Sequence, residues 1–276
     1  MKRIGVIAPA GRRGTLQAAK EVFLFMRERG VDVYCEGFLR EALPETGLLR
    51  KGVQVDAICA LGGDGTILRS VPYAAGLAVP VMGVNLGTKG FLAACEPDDL
   101  KDTLQALYDG KVHIDPRPLL CLNGDEHLLA LNDAAILRGG RQRLMHVRVK
   151  VDGENVGVYS ADGILLATPT GSTGYALSAG GPICMPGTEC LEIIPICAHS
   201  LQSRPIVIAS ESRVTFEMTE DPEMEGMLQL DGRTVSLLHA SDVAELRLSE
   251  KTLQLVRAEK NGFFNVVNRK LTEWSM

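Results

Sequence analysis

Between Ile58 and Val71 the chain reads ICALGGDGTILRSV, and a lone carboxylate, Asp64, stands there among Gly62, Gly63 and Gly65. A strand-to-helix turn needs one or two glycines, so a third asks for a reason beyond the turn. Phosphate supplies one. Residues without side chains let phosphate oxygens reach the backbone, and the amides at the head of the following helix, helped by its dipole, face the anion. A carboxylate in that place repels phosphate unless a metal ion or a reacting hydroxyl lies between them. The combination fits phosphoryl transfer, with Asp64 taking the nucleophile's proton or positioning Mg2+.

A second glycine-rich stretch, SADGILLATPTGSTGYALSAGGPICMP, runs from Ser160 to Pro186. Thr168, Thr170, Ser172, Thr173, Tyr175 and Ser178 stand among its glycines. Hydroxyls and amides at this density suit the sugars and phosphates of a nucleotide, and Tyr175 can stack on a base. A solvated surface loop has the same composition, so both readings stand at this point. Other phosphate motifs fail. No Gly-Lys-Ser/Thr ending of a Walker loop occurs, and the dinucleotide fingerprint that Gly63 and Gly65 begin meets Leu68 where it needs glycine. Ser172 directly follows Gly171, so the Gly-x-Ser-x-Gly elbow of a serine hydrolase is absent.

The surrounding chain must hold these two stretches. Its first third alternates strand and helix signals: RIGVIAP, then LQAAKEVFLFMRERG, VDVYCEG, VDAICAL, a helix from Thr66, VPVMGVN, and a helix over PDDLKDTLQALYDG. Such alternation predicts a Rossmann-like α/β domain with parallel strands and ligands at their carboxyl ends, where Gly62, Gly63 and Gly65 sit. From about Asp115 the pattern changes to paired apolar runs around Asn-Gly and Asp-Gly, the hairpin signal. The expected organisation is an α/β domain over 1–114, a mostly β domain over 115–255 and a helical terminal segment over 256–276.

Bulk properties narrow the partners. The chain has 276 residues, 46% of them hydrophobic, enough for one large domain or two ordinary ones. A net charge of −5 gives no general attraction to nucleic acid or to an anionic membrane. The seven cysteines include no Cys-x-x-Cys pair and read as reduced core thiols of a cytosolic protein. The five histidines show no metal-ligand spacing, which argues against a structural zinc site. The opening MKRIGVIAPAGRRG is too short and too broken for a signal peptide, and no window reaches the ~18 apolar residues of a membrane helix.

Four blocks in order, GGDGTILR, GVNLGTKGFL, ALNDAAI and DGILLATPTGSTGYALSAGGPI, make the chain resemble the NAD kinases, with echoes in PICAHSLQSRPIVI and the terminal FFNVVNRKL. The resemblance implies transfer of a phosphoryl group from ATP, or in some members polyphosphate, to the 2′-hydroxyl of the adenosine ribose of NAD. It implies a divalent metal such as Mg2+, not held by a dedicated protein site, and a homodimer or homotetramer with a shared NAD site. By the same resemblance Asp64 is the general base, with Gly65 and Thr66 beside it. Asn132 and Asp133 match the pair that grips ribose hydroxyls, although an LND sequence also simply ends a strand. Phe91 matches a position near the adenine, or is core. Asp162 and the run Thr173, Gly174, Tyr175, Ala176, Leu177 and Ser178 match the second half of the dinucleotide site. Arg69 is read either as a phosphate contact or as a solvated helix charge; Arg143, a candidate for the nucleotide site, and His199 are equally open to being plain structure.

Three positions depart from the family pattern. Lys89 stands where leucine is usual, Asp133 replaces the commoner glutamate, and Gly174 replaces the usual alanine. Two rivals remain at this level: a lipid kinase of the related superfamily, which shares GGDGT, and an NAD sensor that does not turn over.

Overall fold

The computed structural model describes residues 1–87, 90–139, 144–219, 225–257 and 262–274. The chain divides into two compact units, Met1–Pro116 with Thr252–Met276, and Arg117–Lys251. The expected boundaries at 114 and 255 both fall inside strands.

The first unit contains β1 (Arg3–Ile7), α1 (Thr15–Arg27), β2 (Asp32–Cys35), α2 (Gly37–Ala42), β3 (Gly47–Leu48), β4 (Ala57–Gly62), α3 (Asp64–Ala74), β5 (Pro80–Asn85) and α4 (Leu100–Tyr108). β3, β2, β1, β4 and β5 lie side by side in that order and all pair in parallel. Every residue of β4 is buried, the near-continuous apolar run expected of a strand covered on both faces. Ala18, Ala19, Val22, Phe23 and Met26 form the buried stripe of α1 against Ile4, Val6, Cys59 and Leu61 of the sheet. The α/β character read from the sequence is what forms. β4 ends and α3 begins at the glycine cluster, so the sheet delivers Asp64 to the carboxyl edge of its strands.

Among the described residues the second unit is built from antiparallel pairs. It holds β6 (His113–Leu122), β7 (Asp125–Ala130), β8 (Asp133–Arg138), β9 (Met145–Val151), β10 (Glu154–Ala161), β11 (Gly163–Ala167), the short α5 (Tyr175–Ser178), β12 (Cys190–Ile196), β13 (Ile206–Ala209), β14 (Val214–Met218), β15 (Gly226–Leu230) and β16 (Arg233–Leu238). One sheet runs β13-β12-β11-β8-β15-β16, and against it lies a layer that includes the hairpin of β9 and β10 and strand β14. Their facing side chains, among them Val147, Ile164, Leu191, Phe216 and Leu228, make one buried core. The expected hairpin turns are present. Asn123-Gly124, Asp152-Gly153 and Asp231-Gly232 all have positive φ at both residues, the type I′ signature. β17 (Val243–Arg257) pairs first with β14 and then, in parallel, with β5, and α6 (Phe263–Trp274) closes the chain.

Candidate active site

In the first unit the glycines do not serve the turn. Gly62, Gly63 and Gly65 all lack positive φ. Gly63 is extended, at φ −137° and ψ −166°, and caps α3. The reason for Gly62 is packing: a Cβ there would lie 2.1 Å from Thr66 Oγ1. Thr66 is itself buried, and its hydroxyl accepts the Gly63 N–H at 3.4 Å. Thr66, expected beside the nucleotide, uses its side chain to secure the helix start. Gly65 differs from both. A Cβ there would meet nothing within 4 Å, so the fold does not demand glycine at that point. Keeping glycine in a helix, at a cost of up to about 1 kcal/mol against alanine, leaves the head of α3 bare.

Asp64 is the first residue of that helix. Its carboxylate accepts the Phe91 N–H on Oδ2 at 2.8 Å and the Leu92 N–H on Oδ1 at 3.1 Å. Gly90 makes the approach possible, since a Cβ there would lie 1.9 Å from Asp64 Oδ1. The carbonyl of Phe91 in turn accepts Arg257 Nη1 at 2.9 Å. Two amides use two of the four lone-pair positions of the carboxylate and leave each oxygen one more acceptor direction. The group is therefore held in orientation and still able to take a proton.

Arg69 is neither a loose helix charge nor an unencumbered phosphate contact. Its Nη2 donates to both oxygens of Glu36, at 2.8 and 2.6 Å. Sequence reasoning passed over Arg12, in the loop after β1. Its guanidinium lies along the backbone of Gly87, where a Cβ would be 1.8 Å from Nη2, and 3.4 Å from the Cβ position of Gly63. Its only signal in the sequence was a position after the first strand, shared with Arg13.

In the second unit the segment Leu131-Asn132-Asp133 leads into β8 and is braced on both sides. Thr168 donates its hydroxyl to the Leu131 carbonyl at 2.6 Å and its N–H to the Asn132 carbonyl at 2.9 Å. Gly171 packs so closely that a Cβ would lie 2.1 Å from the Asn132 oxygen. From the other side, Asp231 accepts the N–H groups of Leu131 at 2.8 Å, Asn132 at 2.7 Å and Asp133 at 3.3 Å. Asn132 Oδ1 is buried and has no hydrogen-bond partner among the described residues. Asp133 is only 6% exposed. Burial, and then the nearby charge of Asp231, push its carboxyl up to about 7. Burial likewise raises Asp231, to about 6, against the lowering effect of its amide donors and Arg233.

Tyr175 opens α5 and is 40% exposed. Its hydroxyl titrates above the usual range, first through partial burial and then through negative charge at Cys197, Asp133 and Asp162. The Tyr175 hydroxyl is therefore within electrostatic reach of Asp133 and Asp162. Asp162 is paired with Arg138 Nε at 3.2 Å, a partner the sequence did not announce. Leu177 is half-buried and Ser178 exposed, whereas Ala176 is a core side chain packed with Leu165 and Ile194. The hydroxyl-rich composition of this stretch is largely turned inward. Ser172 donates to the Pro169 carbonyl at 2.7 Å, Thr173 to the Thr170 carbonyl at 3.2 Å, and Thr170 accepts Arg117 Nη1 at 3.0 Å. Gly174, at φ −98°, sits against Asn132, with its Cβ position 3.1 Å from Asn132 Nδ2. His199 is exposed and uses its N–H on the Ser160 carbonyl at 2.9 Å. Arg143 and Lys89 lie outside the described residues. Among the described residues, no group of three or more His, Cys, Asp or Glu side chains could hold a metal ion, and no helix is long and apolar enough to cross a membrane.

Comparison with known proteins adds the whole-chain view. Residues 4–112 match the ATP-NAD kinase N-terminal domain and residues 131–258 the ATP-NAD kinase C-terminal domain. The NAD kinase of Desulforamulus reducens is 35% identical over 99% of this chain and 98% of its own. That of Methanothermobacter thermautotrophicus is 34% identical over 99% of this chain and 97% of its own. Among solved structures, yeast NADH kinase complexed with NADH shares the fold, with a TM-score of 0.88 at 24% identity, covering 99% of this chain and 88% of that one. The NAD kinase from Archaeoglobus fulgidus in complex with ATP has a TM-score of 0.76 at 26% identity, covering 97% of this chain and 98% of that one. With both family regions in order along one chain, and relatives matched across nearly their full length, this chain belongs to the ATP-NAD kinase family.

Proposed function

We propose that the chain phosphorylates the 2′-hydroxyl of the adenosine ribose of NAD, with ATP as donor and NADP and ADP as products. The observation that carries this reading is family membership across both units, held together with a carboxylate of fixed orientation at the head of a glycine-bared helix. Asp64 takes the proton of the 2′-hydroxyl as its oxygen forms a bond to the γ-phosphorus and the bond to the ADP oxygen breaks. Phosphoryl transfer asks mainly for positioning and charge neutralisation, so acceptors for the sugar matter as much as the base. Asn132 and Asp133 are the acceptors for ribose hydroxyls, and the orphaned Asn132 Oδ1 supports that role. Gly65 and Arg12 face donor phosphates; Arg69 contributes through its pair with Glu36. Phe91, Asp162 and the exposed members of the run at 173–178 line the dinucleotide. Arg143 stays a candidate residue of the nucleotide site on the strength of the resemblance alone.

The divalent cation, Mg2+ or a substitute, is read as part of the donor, arriving bound to ATP. The lipid-kinase alternative is not favoured by a chain that matches both NAD kinase regions and has relatives named NAD kinase, and a sensor without turnover is not favoured by a chain that keeps Asp64. Cytosolic residence is supported by seven cysteines that are all free thiols. Assembly into a homodimer or homotetramer is supported by apolar residues left exposed on edge strands, Val158 of β10, Val207 of β13 and Leu237 of β16. The test is incubation with NAD, ATP and Mg2+ followed by chromatography. NADP should form. Absence of NADP from NAD and of NADPH from NADH, with every donor tried including polyphosphate, would sink the reading.

A further inference from the structure

Asp231 belongs to a hairpin turn whose geometry does not require it. The type I′ position, at φ +49°, accepts asparagine or glycine as readily as aspartate. A carboxylate there has to be taken largely out of water, which is costly unless it is well used. It is used on three consecutive amides. Leu131, Asn132 and Asp133 lie at the entry to β8, where a strand ladder has not yet claimed their N–H groups, and all three converge on this one side chain. The bond is returned by the backbone, since the Asp231 N–H donates to the Asp133 carbonyl at 2.9 Å. Thr168 and Gly171 grip the carbonyls of Leu131 and Asn132, the first two of these residues. Rotation of that segment is thereby blocked from both faces, and with it the directions in which Asn132 and Asp133 project.

We infer that Asp231 is a positioning residue for NAD, holding the backbone of Asn132 and Asp133 so that their side chains present acceptors to the ribose diol. The inference rests on the reading that this pair binds the ribose. Asp231 also sets an electrical condition. Its charge stands close enough to Asp133 to disfavour ionisation of the latter, while Arg233 on β16 favours that of Asp231. Among the described residues Tyr175 is also in electrostatic reach of Asp133, and Tyr175 in turn feels Cys197 and Asp162, the latter paired with Arg138. Asp133 accepts hydroxyl hydrogens best when ionised, so Asp231 trades orientation of the grip against its charge.

Asp231→Asn and Asp231→Gly test this, because both residues suit the left-handed turn. NAD binding by titration calorimetry, steady-state kinetics and thermal midpoints are measured together. The expected result is a KM for NAD raised about 10- to 100-fold, with the KM for ATP and kcat within about threefold. A second readout separates positioning from general support. In Asp231→Asn the acidic limb of kcat/KM for NAD should move to lower pH, since Asp133 loses a like charge. An unchanged KM for NAD in both variants overturns the inference. So does a parallel loss of stability, kcat and both KM values, including failure of both variants to fold, because that marks a scaffold residue only. Asp133→Ala is run alongside. If it too leaves NAD binding intact, the ribose reading itself is what fails; if it weakens NAD while the Asp231 variants do not, only the inference falls.

Discussion

The Asp64 carboxylate and the Phe91 amide, 27 residues apart, are joined by a hydrogen bond of 2.8 Å. That bond, with its neighbour to Leu92, ties the head of α3 to the loop that follows β5 and removes the rotational freedom of the proposed base. Asp64→Asn keeps the shape but turns a donor NH2 group toward one of the two amides and cannot take a proton at neutral pH. Turnover should fall by roughly 10²–10⁴ while NAD still binds, with a small loss of thermal stability from the mismatched amide. Single-turnover kinetics beside NAD titration check this. Near-normal turnover would leave Asp64 as a structural clasp.

The two ends of the glycine cluster should respond in opposite ways. Gly62→Ala forces a Cβ against Thr66 and should destabilise the protein by about 1–3 kcal/mol, measured by denaturant unfolding. Gly65→Ala meets open space and should fold as well as or better than the parent. If phosphate passes over Gly65, the same change raises the KM for ATP severalfold. A Gly65→Ala enzyme with parental kinetics would remove the phosphate-approach explanation for that glycine.

The buried carboxyl pair gives a pH signature without any substrate. Asp133 and Asp231 both titrate above an ordinary carboxylate, chiefly through burial. A folded-state value raised above the unfolded one means that the folded protein binds these protons more tightly. Their contribution to stability is thus fully present below about pH 4, and is lost as pH rises through the folded values of about 6 and about 7. Asp133→Asn, neutral at all pH, should flatten this slope. Denaturation midpoints at pH 5 and pH 8 for the two proteins give the comparison. Parallel pH slopes in parent and variant would show that Asp133 is not the buried group responsible.

Much of this was legible before any coordinates. The strand periodicity of VDAICAL and the helical stripe of residues 15–27 are local patterns, and they gave the α/β unit. The three Asn-Gly and Asp-Gly turns specified their own φ angles and gave the β unit. What escaped depends on contacts between residues far apart in the chain. Asp152-Gly153 and Asp231-Gly232 are the same dipeptide in the same turn. Only the fold brings the carboxylate of Asp231 to three amides about a hundred residues away, while that of Asp152 accepts the Arg213 N–H at 2.8 Å. Likewise the hydroxyls of Thr168, Ser172 and Thr173 looked available, and only packing shows them spent on backbone carbonyls. Gly62, read with its neighbours as an opening for phosphate, is packed against Thr66. Spacing identifies which groups are present; long-range hydrogen bonds decide which remain for a ligand.

Gly174 allows a last test, because two effects of similar size oppose each other there. Its φ is negative, so alanine can enter without a left-handed penalty, and it would reduce the freedom of the unfolded chain by about 0.4–1 kcal/mol. Against this, the new Cβ would sit 3.1 Å from Asn132 Nδ2 and 3.2 Å from the Gly171 carbonyl, closer than comfortable contact. The Asn132 side chain is the softer neighbour and should yield by a few tenths of an ångström. Gly174→Ala should therefore leave stability within about 1 kcal/mol of the parent. The displaced Asn132 should show up instead in the KM for NAD, with the KM for ATP unchanged. Pairing the change with Asn132→Ala makes the link explicit: once the amide is gone, the effect of Gly174→Ala on NAD should vanish. An effect that persists in the double variant would place the consequence in the loop itself, not in the ribose grip.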